Sequence, residues 1–305
     1  MATQEVDEGR QRAVRPQYRP WAEGDYEPLL HRFRLGEIGA NLVKRVGVAA
    51  GMDVLDVATG TGSAALSAAS TGARVWGLDV TPEMLERAEE LGAAAGLDVT
   101  WVHGDAEALP FADASFDRVV SSLGVMFVAN HQRAADELVR VCRPGGMIGL
   151  CSWTPESVPG LVGQTMASYV HRGRAPAAVV RPLCWGTVEY VTELFADSGA
   201  VLQFERVSVP VELQSADAYI RILGEHSGPV VETKRLLAAQ GRWENLCEGV
   251  GRLLEPSNET PGDGWTAPQE YLLAVAQIPA GPRAPTSSDQ RFVKGSQKGG
   301  LSQAL

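Results

Sequence analysis

Asp53 to Ala65 reads DVLDVATGTGSAA, and its residue types run in the order of a strand, a glycine turn and a helix start. The opening DVLDVA has the length and apolar content of a short buried strand. Gly60-Thr61-Gly62, with Ala65 three positions on, fits the G-x-G-x-x-G/A spacing of a nucleotide-binding turn. Small residues from Ser63 to Ser70 then continue as a helix. The glycine spacing by itself leaves open what, if anything, approaches the turn.

The alternation of strand and helix extends outward from this stretch. ARVWGLDV (73–80) is a second strand, and Thr81-Pro82-Glu83 opens a helix with an N-cap, a proline at the first position and an acid in the first turn. Gly96 stops that helix. VTWVH (99–103) and FDRVVSS (116–122) are the third and fourth strands. Asn130 caps a helix running through Val141, RPGG (143–146) ends it, and MIGLCSW (147–153) is the fifth strand. Upstream, Leu29, Leu30, Phe33, Ile38, Leu42 and Val46 recur at helical spacing. Downstream, helices are expected over 161–170 and 187–197, with Gly199 as a stop, and a strand over 201–213. Ser215 is expected to cap a helix over 216–223, a helical stretch covers 230–250, and EYLLAVAQI (270–278) is the final strand.

Such a pattern calls for an α/β fold: a doubly wound, mostly parallel sheet of seven strands covered by helices on both faces, with a helical insertion near the C-terminus. Residues 16–280 are expected to form a single domain. Within it, 16–50 is an N-terminal helical cap, 51–155 the cofactor-binding core, and 156–280 the substrate-side helices and last strands. Residues 1–15 and 281–305 read as disordered from their polar, Gly- and Ser-rich composition.

Composition narrows the function. With 305 residues, 45% hydrophobic and 21% charged, the chain is long and apolar enough for a substantial core. A net charge of −10 argues against a nucleic-acid partner. No run reaches the roughly 18 apolar residues of a membrane span, and the start lacks the apolar core of a secretory signal, so a cytoplasmic location is expected. Cys142, Cys151, Cys184 and Cys247 form no C-x-x-C pair, so they read as free thiols with no metal site. G-x-S-x-G, H-E-x-x-H and G-x-x-x-x-G-K-[ST] are all missing from the sequence.

Ligands of doubly wound sheets sit beyond the carboxyl ends of the strands. Asp56 lies inside the first strand, where a charge is costly unless solvated or hydrogen-bonded. It either meets a ligand carrying an ammonium group or braces the loop's own amides. Asp79 ends the second strand, where a carboxylate accepts ribose hydroxyls of either a nicotinamide cofactor or S-adenosylmethionine. Asp105 and Ala106 follow the third strand, where a carboxylate and a backbone amide suit an adenine edge. A plain surface turn competes with that reading.

VLDVATGTG (54–62), GLDVTPEML (77–85), GDAEALPFADASFDRVVSS (104–122) and ELVRVCRPGG (137–146) resemble the successive motifs of class I S-adenosylmethionine-dependent methyltransferases. The nearest type is the small-molecule group that includes the ubiquinone and menaquinone C-methyltransferases. The resemblance covers Asp53 to Trp153, and WAEGDY (21–26) is similar to an N-terminal segment that packs over the cofactor in related bacterial enzymes. It implies a Rossmann-like methyltransferase fold with S-adenosyl-L-methionine as cofactor. Asp56, Ala58, Gly60 and Gly62 would lie beside the methionine portion, and Asp79 and Val80 beside the ribose. Asp105 and Ala106 would hold adenine, and Ser122 and Leu123 would touch the cofactor near the sulfonium. One departure is DVATGTG, where many relatives read D-x-G-C-G-x-G, so Ala58 and Thr59 replace Gly and Cys.

Methyl transfer from a sulfonium is an in-line displacement that needs alignment and exclusion of water, with a general base only for some acceptors. His131 and His226 are the base candidates, each against a capping or structural role. Tyr18, Trp21, Tyr26, Phe127, Trp153 and Trp185 are candidates for an apolar acceptor pocket, with Met126, Tyr169 and Tyr219 as further possibilities. The expected partner is a small-molecule acceptor methylated at O, N or C, with no nucleic acid and no membrane insertion, for a monomer or homodimer. The competing readings are an NAD(P)-dependent oxidoreductase and an S-adenosylmethionine-binding protein without methyl transfer, such as a cyclase, chaperone or regulator.

Overall fold

The structure is a computed structural model that describes residues 16–171, 181–260, 262 and 264–281. The termini read as disordered, Gly281 excepted, lie outside the described residues. Strands β1 (Asp53–Val57), β2 (Arg74–Asp79), β3 (Thr100–His103), β4 (Phe116–Ser122), β5 (Cys142–Trp153), β6 (Val201–Leu213) and β7 (Trp265–Gln277) form one sheet in the order β3-β2-β1-β4-β5-β7-β6. The first five are parallel, and β7 runs antiparallel to both of its neighbours. Strand order reverses between β1 and β4, which opens a crevice at their carboxyl ends.

Helices cover both faces. On one, α1 (Glu27–Arg32) leads into α2 (Leu35–Arg45), and α3 (Ser63–Ala69) lies beside α2. Ile38, Leu42, Val46, Ala64 and Ala68 from these helices pack on Val54, Val120 and Tyr271 of the sheet. On the other face, Leu138 and Val141 of α5 (His131–Val141) and Val191 of α7 (Val188–Leu194) meet Leu55, Val119 and Ile148. The sheet's outer parallel strands are covered by α4 (Pro82–Ala95), and α6 (Val158–Val170) follows β5. Between β6 and β7 run α8 (Ala218–His226), α9 (Gly228–Ala238) and α10 (Trp243–Leu254), the expected insertion. They form a separate apolar cluster with Phe33 and Trp265.

Several boundaries differ from the sequence reading. The periodic run from Leu29 to Val46 is two helices, broken where Arg34 takes a left-handed φ of 53°. The stretch 230–250 is likewise two helices, separated at Gly241 with φ 66°. Ser215 does not cap α8: Asp217 precedes the helix, and the Ser215 hydroxyl donates to its carboxylate at 2.6 Å. RPGG does not separate α5 from the fifth strand but belongs to β5, as an irregularity between the pairs Phe116–Cys142 and Arg118–Met147. Pro144 cannot continue a helix, and the two glycines permit the bulge. The final strand starts earlier than expected, because β7 pairs along the whole of β6 from Leu213–Trp265 to Val201–Gln277. Among the described residues no helix is long and apolar enough to cross a membrane.

Contact between α2 and the sheet needs a glycine. A Cβ on Gly149 of β5 would stand 2.4 Å from Val46 Cγ1 and 2.8 Å from Leu42 Cδ1. Gly149→Ala is therefore expected to destabilise the protein by about 1–3 kcal/mol, read as a lowered urea midpoint at unchanged slope. An unchanged midpoint would show that α2 can lift away without loss.

Candidate active site

A cleft opens beyond the carboxyl ends of β1, β2, β3 and β4. Its floor is the turn after β1. Asp79 Oδ2 accepts from the Gly60 N–H at 2.8 Å, while Oδ1 accepts from the Thr81 N–H at 2.9 Å. One carboxylate thus ties the turn after β1 to the turn after β2. Gly60 has φ 57°, and a Cβ there would meet nothing within 4 Å, so its open face is turned to the cleft it lines.

Asp56 and Gly62 do not line the cleft. Asp56 is 1% exposed beneath the turn. Its Oδ2 accepts from the Thr59 hydroxyl at 2.6 Å and the Ala65 N–H at 3.0 Å, while Oδ1 has no hydrogen-bond partner. Of the two readings open in the sequence, direct contact with a ligand's ammonium and bracing of the loop, these bonds are of the second kind. Gly62 has φ 86°, and a Cβ there would stand 2.7 Å from the Trp101 ring. Its place is set by packing of the turn on β3.

The backbone is strained where two loops meet. Ala58 and Leu123, both lining the cleft, have φ 53° and 61°. Left-handed backbone costs a non-glycine residue about 1–2 kcal/mol, and it persists where the surroundings over-determine it. At position 58, where related motifs carry glycine, alanine accepts that cost. Gly124 packs against the same residue, since a Cβ on it would lie 2.2 Å from the Ala58 carbonyl oxygen.

Val80, Asp105, Ala106 and Ser122 also line the cleft, with Asp105 Oδ1 accepting from the Glu107 N–H at 2.9 Å. Thr59, Thr61, Ser63, Thr81, Met84 and Val128 line it too, although no motif singled them out as contacts. Thr59, Thr61 and Thr81 lie in the turns after β1 and β2, whereas Ser63 and Met84 lie on α3 and α4 and Val128 in the loop before α5.

Aromatic residues form the mouth. Tyr18, Trp21, Tyr26 and Phe127 all line it. Trp21 lies 4.8 Å from Phe127 at 56° and 6.0 Å from Tyr26 at 23°. The Tyr26 hydroxyl accepts from the Gly228 N–H at 3.0 Å, which joins the mouth to the insertion. Burial pushes that phenol above its usual value.

Seven further candidates lie elsewhere: Met126 is buried in the core, and Tyr219 and Tyr169 belong to the cluster around the insertion. Trp185 is 1% exposed in the core, and Trp153 packs edge-on against Tyr271 at 6.4 Å. Both are apolar rings whose chain segments turn them to the sheet instead of the cleft. His131 is 1% exposed, with Nδ1 2.9 Å from the Tyr190 hydroxyl, and burial brings its pKa down to about 4. His226 ends α8, half-buried and outside the lining. Among the described residues no group of His, Cys, Asp and Glu is set to hold a metal.

Asp79 already takes the Gly60 amide, so that N–H is closed to a phosphate oxygen, and Asp105 stands at the next strand end. A ribose diol and a cationic group suit them.

Comparison with known proteins agrees with this geometry. The methyltransferase-domain family matches residues 55–150. An uncharacterized protein of Mycobacterium tuberculosis is 42% identical over 259 residues, covering 84% of this chain and 92% of that protein. Likeness to a demethylmenaquinone methyltransferase of Clavibacter sepedonicus, 41% over 117 residues, spans 38% of this chain and 47% of that enzyme. The YcgJ protein of Bacillus subtilis shares the fold with a TM-score of 0.55 and 19% identity, over 80% of this chain and 99% of that one.

Burial raises the Asp56 carboxyl from 3.8 to about 7, against the Thr59 and Ala65 hydrogen bonds that lower it, with Asp79 adding repulsion. A folded-state value above the unfolded one favours the protonated, folded chain. This group's stabilisation is fully present below about 3.8, is lost as pH rises and is gone above about 7. Asp56→Asn is expected to remove that component, so its melting temperature should gain on that of the unsubstituted protein between about pH 4 and 7, without cofactor. Parallel melting profiles would rule it out.

Proposed function

We propose, for this chain, which belongs to the methyltransferase-domain family and is an S-adenosyl-L-methionine-dependent methyltransferase, that the acceptor is a small apolar or aromatic metabolite. The observation that carries the proposal is the make-up of the cleft lining: carboxylates and a glycine turn together with four aromatic residues.

When bound, the cofactor supplies a methyl group already activated on a sulfonium. Asp79 would receive the ribose, with Val80 beside it, and Asp105 and Ala106 would receive the adenine. Ala58 and Gly60, held from below by Asp56, would stand beside the methionine portion, and Ser122 and Leu123 near the sulfonium. Tyr18, Trp21, Tyr26 and Phe127 would hold the acceptor beside the methyl donor and exclude water. Neither His131 nor His226 is assigned proton transfer, since both stand outside the lining. We read residues 16–280 as one catalytic domain of a cytoplasmic enzyme that needs no nucleic-acid partner and acts as a monomer or homodimer.

S-adenosylhomocysteine is expected to raise the melting temperature, whereas NAD and NADP are not. Stabilisation by the nicotinamide cofactors alone would overturn the proposal. Asp79→Asn replaces one of two accepting oxygens by a donor and should weaken S-adenosylhomocysteine binding at least tenfold by calorimetry. Binding at full strength would remove Asp79 from the site. A screen of apolar and aromatic amines, phenols and acidic carbons with labelled methyl donor then shows which kind of atom accepts the methyl group.

A further inference from the structure

The buried histidine that the reaction does not use stands behind the acceptor side of the cleft. His131 opens α5, and its ring meets four groups at once. Nδ1 is 2.9 Å from the Tyr190 hydroxyl on α7. The ring also faces the backbone carbonyls of Met126 and Val128. Trp185 packs on it with centroids 5.5 Å apart at 55°.

Met126 and Val128 flank Phe127, in the loop that runs from β4 to α5. The near end of that loop is pinned by the Ser121 hydroxyl, which accepts from the Val125 N–H at 3.0 Å and donates to the Val57 carbonyl at 2.7 Å. Its far end is pinned by Glu107, whose Oε1 accepts from the Ala129 and Asn130 N–H groups at 2.9 and 3.0 Å. Between these anchors Phe127 remains 36% exposed. The middle of the loop has His131 behind it and the cleft in front.

We propose that His131 and Tyr190 are a positioning pair for the acceptor: they hold Met126 and Val128, and so place the Phe127 ring against Trp21, without touching the reacting atoms. This rests on reading the cleft as the site of methyl transfer. The pair works with a neutral ring, whose Nδ1 accepts the tyrosine hydrogen. Burial and the Arg181 charge oppose protonation, and Glu107 favours it less strongly, so the ring stays neutral around pH 7. The pair also ties α7 to the loop, so a change in the substrate-side helices would reach Phe127 through one hydrogen bond.

The test uses the full chain with 4-fluorophenylalanine at position 127 alone, saturated with S-adenosylhomocysteine and followed by ¹⁹F NMR. Tyr190→Phe and His131→Ala are expected to shift and broaden the resonance. His131→Asn keeps a hydrogen-bonding group near Nδ1 and should restore a narrow line. S-adenosylhomocysteine affinity should stay within about twofold throughout. A lowered melting temperature with an unmoved resonance would mean a purely structural contact and overturn the proposal. A tenfold loss of S-adenosylhomocysteine affinity would also overturn it, by placing the pair on the cofactor side. If the protein with native His131 and Tyr190 fails to bind S-adenosylhomocysteine, the methyl-transfer reading itself falls and the acceptor role falls with it. That outcome is told apart because it precedes any substitution.

Discussion

Two buried carboxylates hold one glycine turn, and the cleft is shaped by that arrangement. Asp79 fixes the turn from the side through the Gly60 and Thr81 amides, and Asp56 fixes it from below through Thr59 and Ala65. Both sit where desolvation raises their pKa, so the hydrogen bonds oppose a standing cost. The positions of Ala58 and Gly60, and of Gly124 packed on the Ala58 carbonyl, follow from this constraint.

Two of the four left-handed non-glycine residues among those described meet at the same place. Ala58 and Leu123, on loops that follow adjacent strands, both take left-handed backbone and face one cleft. Such conformations survive where several contacts over-determine them. Here the contacts are the carboxylate bonds on one side and the Ser121 bridge to Val57 on the other. A rigid floor therefore faces a mouth of aromatic residues that is tied to the helical insertion by the Tyr26–Gly228 hydrogen bond. The floor is built from parallel strands, and the mouth from segments far apart in the chain.

Much of the floor is legible in the amino-acid sequence. Asp79, Val80, Asp105, Ala106, Ser122 and Leu123 stand at strand ends, and strand ends can be counted from apolar periodicity. Local bonding is partly legible: Asn130 caps α5 as expected, its side chain accepting from the Arg133 N–H at 3.1 Å, whereas Ser215 does not cap α8. The aromatic residues are harder. Trp21 and Phe127 line the cleft while Trp153 and Trp185 pack into the core, although all four lie near expected elements. An aromatic ring suits a pocket and a core equally, and only the direction of its chain segment tells them apart.

The alternation of strands and helices, the glycine turn and the acids at successive strand ends follow from the order of residues alone, because they depend on period and short-range spacing. Tertiary structure decided which of those groups reach the cleft. Asp56 and Gly62 belong to the turn by position, yet one is sealed beneath it by amide bonds and the other is pressed against Trp101. His131 has the chemistry of a base and lies instead behind the loop, bonded to Tyr190 from a helix about sixty residues away. Direction and burial arise from contacts between distant segments, and local periodicity carries no information about those.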